Sequence, residues 1–311
     1  MSPPSAEPRK RNIPASIRAR LLALKRGPGE DFQHILIRYG VERLLYRLSV
    51  SRHANRFILK GAMLLATWKD LPHRPTLDLD LLGHGNSEVD AVVGVFRELA
   101  QVVPSGEDGL VFDSESAQGE VIREEGIYQG VRVRLQAHLG KARIPLQIDV
   151  AFGDPVSPAP VELEYPSILG LPAPRLRACP PETVVAEKLE SLVSLGMKNS
   201  RMRDIYDLWI ISRTLPFQYG RLLQAVKSTF EARGTSIPTW PPLAFTTDFH
   251  ADQRKQRSWS AFLRRSVLEA PSSLGEALGQ VAPFLRPVME NSRQPQAVWP
   301  PGGPWQDRGS A

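Results

Sequence analysis

The strongest constraint on this chain is a leucine-rich run that contains two aspartates, Leu77-Asp78-Leu79-Asp80-Leu81. Side chains alternate between the two faces of a strand, so the aspartates share one face. Aspartate is disfavoured in strands, and like charges on one face repel each other. We therefore expect the pair to hold a cation, and Mg²⁺ bound by carboxylates and substrate phosphates fits this arrangement.

A turn and a helix are predicted just before this strand. Phe57 to Lys60 is typical of a strand end, Gly61 is the turn residue, and Ala62 to Trp68 has apolar positions at helical spacing. Backbone N–H groups at the start of such a helix can hold a phosphate, which makes Gly61 and Ala62 candidate nucleotide-binding residues. Taken alone, a glycine at this junction indicates only a turn.

Composition narrows the class of protein. The 311 residues allow one large domain or two ordinary ones, and 42% of them are hydrophobic, which is enough for a core. The single cysteine, Cys179, excludes an internal disulfide framework and favours a reducing cytoplasm. We expect Cys179 to be an ordinary loop residue, and we predict neither a signal peptide nor a membrane span.

The net charge of +6 fits a polyanionic partner such as RNA, but it also fits plain solubility. The chain is predicted to be α+β. Residues 1–12 are predicted to be disordered, 13–165 to form a core domain with a mixed sheet, 166–293 to form a helical domain, and 294–311 to be a disordered tail. The boundary falls in a proline-rich crossing, and residues 121–152 are predicted to form antiparallel strands.

Two further sites carry candidate chemistry. Asp149 lies among apolar residues on a later strand and could add a third carboxylate, although a strand-end aspartate before a turn is the simpler interpretation. Lys188 lies on a helix face otherwise suited to burial, where a lysine needs a carboxylate or a phosphate nearby. Asp204 and Asp207 share a stripe on the next helix. A salt bridge between the two helices and a contact with a substrate phosphate both remain open.

Several segments, in this order and spacing, resemble the AbiEii/AbiGii-type nucleotidyltransferase toxin family, the toxin half of type IV-like toxin–antitoxin and abortive-infection systems. That family includes the mycobacterial nucleotidyltransferase toxins. The resemblance runs from about residue 13 to about residue 268. The segments that carry it are Phe57–Ala62, Arg74–Asp80, Gln147–Asp154, Glu182–Leu192 and Arg203–Leu208.

The resemblance implies a polymerase-β-like nucleotidyltransferase core followed by an α-helical bundle. It assigns the metal-ligand positions to Asp78 and Asp80, a contact with the nucleotide phosphates to Lys188, and the second-domain carboxylate to Asp204. These four are the catalytic candidates. Asp207 ends the same motif and is expected to be structural.

Other positions are less regular. Asp149 matches in place as a candidate third metal ligand, and Arg74 or Arg203 could add positive charge to the phosphate site. The family commonly has Gly-Gly or Gly-Ser where this chain has Gly61-Ala62. Ala62 keeps its N–H but has no hydroxyl to offer a phosphate.

The resemblance also implies Mg²⁺ or Mn²⁺ as cofactor, an NTP as substrate, the 3′ end of tRNA as acceptor, blocked translation, and a separately encoded antitoxin. No membrane partner is expected. Two alternatives stay open: nucleotidyl transfer to a protein or small molecule, and a catalytically silent RNA- or partner-binding protein on the same fold. A metal-dependent phosphatase or nuclease is disfavoured, because the six histidines are scattered without ligand spacing.

Overall fold

The computed structural model describes residues 12–25, 31–68, 76–123, 129–266 and 270–307. The strands are β1 (Phe57–Lys60), β2 (Asp78–Gly83), β3 (Leu110–Arg123), β4 (Gln129–Leu139), β5 (Ala142–Phe152), β6 (Val161–Glu164), β7 (Arg175–Ala178), β8 (Phe217–Gln218) and β9 (Val298–Trp299). The α-helices are α1 (Ile13–Ala23), α2 (Phe32–Ser49), α3 (Val89–Gln101), α4 (Pro181–Leu195), α5 (Met202–Thr214), α6 (Tyr219–Ala232), α7 (Thr247–His250), α8 (Gln253–Ser266) and α9 (Leu274–Glu290).

A mixed seven-stranded sheet forms the first half of the molecule, in the order β3-β4-β5-β2-β1-β7-β6. The strand that carries the two aspartates, β2, lies at the centre, antiparallel to β1 and parallel to β5. The predicted antiparallel meander is present as β3-β4-β5. The structure therefore confirms the mixed sheet expected from the change to a period of two.

Helices cover one face of this sheet and leave the other face to the site. Leu146, Ile148 and Val150 of β5 are buried, and the side chain of Leu146 packs against Gly40 of α2. On β3, Gly119 lies against Val93 of α3. Because strand side chains alternate, Asp149 of β5 points away from this layer.

The boundary between the two halves lies later than residue 165, so that prediction was wrong. Strand β7 belongs to the sheet, where it runs parallel to β1 with Leu59 opposite Ala178 and antiparallel to β6. The chain becomes helical from Pro181. Four-residue strands between prolines are too short to show a period, which is why the sequence did not reveal them.

Helices α4, α5, α6, α8 and α9 form the second half, and the α+β class is confirmed. Apolar stripes bury each helix against its neighbours. Within the described residues, no helix is long and apolar enough to cross a bilayer.

The tail predicted to be disordered is folded over residues 294–307. Strand β9 pairs with β8, and Trp299 donates from Nε1 to the carbonyl of Ser212 at 2.6 Å. Trp305 donates to the carbonyl of Phe284 at 2.9 Å, and both indoles are buried. The prediction weighed the prolines and glycines and overlooked the tryptophans, which bury large apolar surface. Residues 1–11 and 308–311 lie outside the described residues.

Candidate functional site

Gly61 turns the chain at the end of β1 and lies directly against Asp80. Its φ is +71°, and a short 3₁₀-helix, Gly61–Thr67, follows where the sequence predicted a helix. A Cβ at this position would lie 2.1 Å from Oδ2 of Asp80 and 2.8 Å from the Asp80 Cβ. Glycine is therefore required here both by the left-handed backbone and by the close approach of the carboxylate.

A cleft of about 680 Å³ lies between the sheet and the helical half. Asp78 and Asp80 form one wall, and Lys188 and Asp204 form the other. The complete lining is Lys60, Gly61, Ala62, Thr76, Asp78, Asp80, Glu120, Val121, Ile122, Arg132, Asp149, Val184, Glu187, Lys188, Ser191, Arg201, Arg203, Asp204 and Arg233. The structure thus brings together every candidate site residue named from the sequence except Arg74, which lies outside the described residues.

One row of charged side chains crosses the floor of the cleft. In the sheet register, Lys60 is opposite Asp80, Asp80 is beside Asp149, Asp149 is opposite Arg132, and Arg132 is opposite Glu120. Register partners project from the same face, and all of them line the cleft. We call these five residues the charged row.

Arg132 holds Asp149 through two parallel hydrogen bonds. Its Nε donates to Oδ1 at 2.8 Å and its Nη2 donates to Oδ2 at 2.7 Å. The hydrogen bonds with Asp149 raise the pKa of Arg132, and the negative charges of Asp149, Asp78 and Glu120 act in the same direction, against a lowering by burial. Asp149 therefore lies where the sequence placed a third carboxylate, but it is already paired with a cation.

Lys188 bridges two helices through two carboxylates. Its Nζ lies 2.8 Å from Oδ1 of Asp204 and 2.8 Å from Oδ2 of Asp207. Asp207 is fully buried, as expected for a structural residue, whereas Lys188 and Asp204 line the cleft. The salt bridge that the sequence left open is present, and it fixes the ammonium at the helical wall.

A second ionic network joins the two halves beside Gly61. Lys60 of β1 lies 2.7 Å from a carboxylate oxygen of Asp154 and 3.0 Å from one of Glu187 on α4. Arg233, after α6, contacts Glu190 at 2.8 Å and Asp154 at 3.5 Å. Burial raises the pKa of Asp154, but Lys60 and Arg233 together lower it by more, so the pKa lies below its usual value.

Sequence reasoning did not identify Lys60, Glu120, Arg132, Glu187 or Arg233 as site residues. Lys60 carried a usable signal, since it stands in an otherwise apolar strand directly before the glycine turn. For Arg132 and Glu120 the only signal was alternation along β4 and β3, which many solvent-facing residues share. Their place in the cleft follows from strand register, which a single sequence does not show.

The donor set suits a magnesium ion that arrives with phosphates. Asp78 and Asp80 offer carboxylate oxygens from one strand face, and the missing Cβ of Gly61 leaves room for the Asp80 carboxylate to lie against the turn. No group of three or more His, Cys, Asp or Glu able to hold a metal occurs in the described part of the chain. Mg²⁺ is commonly bound through one or two carboxylates, with water and substrate phosphates as the other ligands, so the residues fit.

A family model described as nucleotidyl transferase AbiEii toxin, type IV toxin–antitoxin system, matches residues 43–282. No curated protein matches.

Two solved structures are similar to this chain. JHP933 from Helicobacter pylori has 13% sequence identity and a TM-score of 0.47, with 83% of this chain and 94% of that chain covered. A second H. pylori protein, described only as a candidate nucleotidyltransferase, has 16% identity and a TM-score of 0.46, with 85% and 100% covered.

Proposed function

Since the chain belongs to the nucleotidyl transferase AbiEii toxin family of type IV toxin–antitoxin systems, we propose that its cleft transfers a nucleoside monophosphate from an NTP to the 3′ end of tRNA. One observation carries the proposal: candidate residues from the sheet and from the helical half line the same cavity. One wall holds Asp78 and Asp80, and the other holds Lys188. The two walls come from separate sequence motifs about a hundred residues apart, and the fold brings them together.

The charge of the cleft suits a metal nucleotide better than a simple anion or cation. Among the described lining residues, six are acidic and six are basic. The acidic members are Asp78, Asp80, Glu120, Asp149, Glu187 and Asp204, and the basic members are Lys60, Arg132, Lys188, Arg201, Arg203 and Arg233. A polyphosphate needs positive charge along its oxygens, and its bound cation needs carboxylates, so a mixed lining serves both.

Each wall has a distinct task in this proposal. Asp78 and Asp80 would hold Mg²⁺ or Mn²⁺, which when bound neutralises charge on the phosphates and on the departing pyrophosphate. Lys188, fixed by Asp204 and Asp207, would place a point charge beside the phosphates. Arg203, exposed on the first turn of α5, extends this positive charge towards solvent.

Backbone geometry would orient the nucleotide at the other end. Gly61 and Ala62 line the cleft at the start of the 3₁₀-helix, where N–H groups can donate to a phosphate. The acceptor hydroxyl oxygen would bond to the α-phosphorus as the bond to pyrophosphate breaks, and the hydroxyl proton would pass to solvent. The tRNA would then be blocked at its 3′ end, translation in the cytoplasm would stop, and a separately encoded antitoxin would counteract the toxin.

Two labels distinguish this reaction from its alternatives. Purified protein is incubated with Mg²⁺, total tRNA and each NTP, labelled in one series on the α-phosphate and in a parallel series on the γ-phosphate. Nucleotidyl transfer moves the α-label to RNA and releases the γ-label in pyrophosphate. The variants are Asp80→Asn and, as a matched control, Asp90→Asn on the exposed start of α3.

We expect α-label on tRNA with wild type and Asp90→Asn, and none with Asp80→Asn. Label on protein instead of RNA would move the assignment to a protein acceptor. Transfer of the γ-label would indicate a phosphotransferase. A folded protein that binds RNA but moves neither label with any nucleotide would be a silent binding module, and the proposal would be rejected.

A further inference from the structure

Asp80 and Asp149 stand side by side at the centre of the charged row. They are register partners on parallel strands, so their carboxylates project from the same face. Adjacent like charges destabilise a sheet unless a cation offsets them. Arg132, on the far side of Asp149, is one such cation, and Lys60 lies on the far side of Asp80.

The contact between Arg132 and Asp149 is a strong one. Both carboxylate oxygens accept from the planar guanidinium, and such bidentate, charge-assisted pairs are among the stronger hydrogen-bonded contacts in proteins. Asp149 is 17% exposed at its side chain and Arg132 is 30% exposed, so water screens the pair only in part. Arginine also stays charged at any pH below about 12.

The Arg132 guanidinium disfavours the binding of a cation to Asp149. It neutralises the charge of that carboxylate, and it repels a divalent ion that approaches the same oxygens. Arg134, the next arginine on the same face of β4, has no such effect because its partner is Glu120, at 2.6 Å.

We propose that Arg132 withholds Asp149 from the cation held by Asp78 and Asp80. The nucleotide-free protein then has a two-carboxylate site, which binds the ion firmly only when the phosphates of the nucleotide add their oxygens. The ion and the nucleotide therefore bind together. Arg132 is a positioning residue in this account, and the inference rests on the proposed cation site at Asp78 and Asp80.

Binding of Mn²⁺ to the nucleotide-free protein tests this without any measurement of activity. The concentration of free Mn²⁺ is followed by electron paramagnetic resonance as protein is titrated. The variants are Asp80→Asn, Asp149→Asn, Arg132→Met, the double variant Arg132→Met/Asp149→Asn, and Arg134→Met as the matched arginine control. Circular dichroism establishes that each variant is folded.

We expect Asp80→Asn to weaken Mn²⁺ binding strongly. Asp149→Asn should weaken it much less, because no ligand is lost and only the repulsion by the unpaired Arg132 guanidinium increases. Arg132→Met should tighten binding by about tenfold, the size of effect that one nearby charge commonly produces. The double variant should lose that gain, and Arg134→Met should bind as wild type does.

Three results would overturn the inference. The first is that Asp149→Asn weakens binding as much as Asp80→Asn, because Asp149 would then be a ligand already. The second is that folded Arg132→Met shows no gain, and the third is that the gain survives in the double variant. If Arg132→Met does not fold, the comparison of Asp149→Asn with Asp80→Asn still decides. Failure of Asp80→Asn to alter binding would instead refute the cation site of the proposed function.

Discussion

Replacement of Gly61 by alanine tests the geometry on which the site depends. Gly61 has a φ of +71°, and a Cβ there would lie 2.1 Å from Oδ2 of Asp80. Gly170 has a φ of +69°, and a Cβ added there would meet no other atom within 4 Å. The two glycines share the backbone strain, so Gly170→Ala is a matched control for the contact with Asp80.

The expected magnitudes differ between the two variants. A left-handed conformation costs an alanine about 1–2 kcal/mol, and both variants incur that cost. Overpacking at a closed contact adds about 1–3 kcal/mol, and only Gly61→Ala incurs it. Gly61→Ala should therefore lower the free energy of unfolding by about 2–5 kcal/mol in total. If Asp80 swings away instead, part of that cost is relieved and the carboxylate leaves the cleft.

Urea denaturation measures the first effect, and nucleotidyl transfer with Mn²⁺ binding measures the second. We expect Gly170→Ala to keep wild-type transfer and Mn²⁺ binding, whereas Gly61→Ala loses transfer and binds Mn²⁺ weakly. The reasoning is refuted if Gly61→Ala matches Gly170→Ala in both stability and activity, since the contact with Asp80 would then have no consequence.

Three further predictions concern the rest of the molecule. Asp154 has a pKa below its usual value, because the positive charges of Lys60 and Arg233 outweigh the effect of burial. The ionised carboxylate therefore stabilises the fold above about pH 4, and this stabilisation decreases as the pH falls below that value. The difference in melting temperature between wild type and Asp154→Asn should be large at pH 7 and shrink at pH 3, and a constant difference would contradict this. Burial raises the pKa of the Cys179 thiol to about 12, so mass spectrometry should find no alkylation by iodoacetamide at neutral pH until urea unfolds the protein. Trp299 is buried in the folded tail, and Trp299→Ala should cost about 3–5 kcal/mol in urea denaturation; a wild-type unfolding midpoint would show that the tail contributes little.

Much of the fold is predictable from local sequence patterns. The aspartate strand, the three-stranded meander and the helices of the second half each repeat a period over enough residues to be recognised. The glycine turn was recognisable too, because a left-handed residue must usually be glycine. Strands β6 and β7 were missed since four residues cannot establish a period.

Charges in the site were harder to predict because they depend on register. The sequence placed Asp149 near the first two aspartates, but the arginine that pairs with it comes from another strand, opposite Asp149. For Lys188, the sequence predicted that a partner is needed but did not identify the partner. Its need for a carboxylate was predictable from its apolar helix face, and the structure supplies both Asp204 and Asp207. Only the folded structure shows that Asp204, and not Asp207, also lines the cleft.

The folded tail shows how composition can mislead. Residues 294–307 are rich in proline and glycine, which are typical of disordered segments. The ring of Trp299 nevertheless lies 5.0 Å from that of Phe284 and 5.6 Å from that of Trp305, centroid to centroid. Two large aromatic residues in a short segment bury enough apolar surface to order it.

The central claim is that one nucleotide lies between the aspartate wall and the lysine wall. Equilibrium binding of labelled NTP in the presence of Mg²⁺ tests it directly, with wild type, Asp80→Asn, Lys188→Met and the surface control Asp90→Asn. Loss of either wall should weaken binding by about tenfold or more, while the control binds as wild type does. Wild-type affinity in folded Asp80→Asn and folded Lys188→Met would show that the nucleotide does not bind in this cleft.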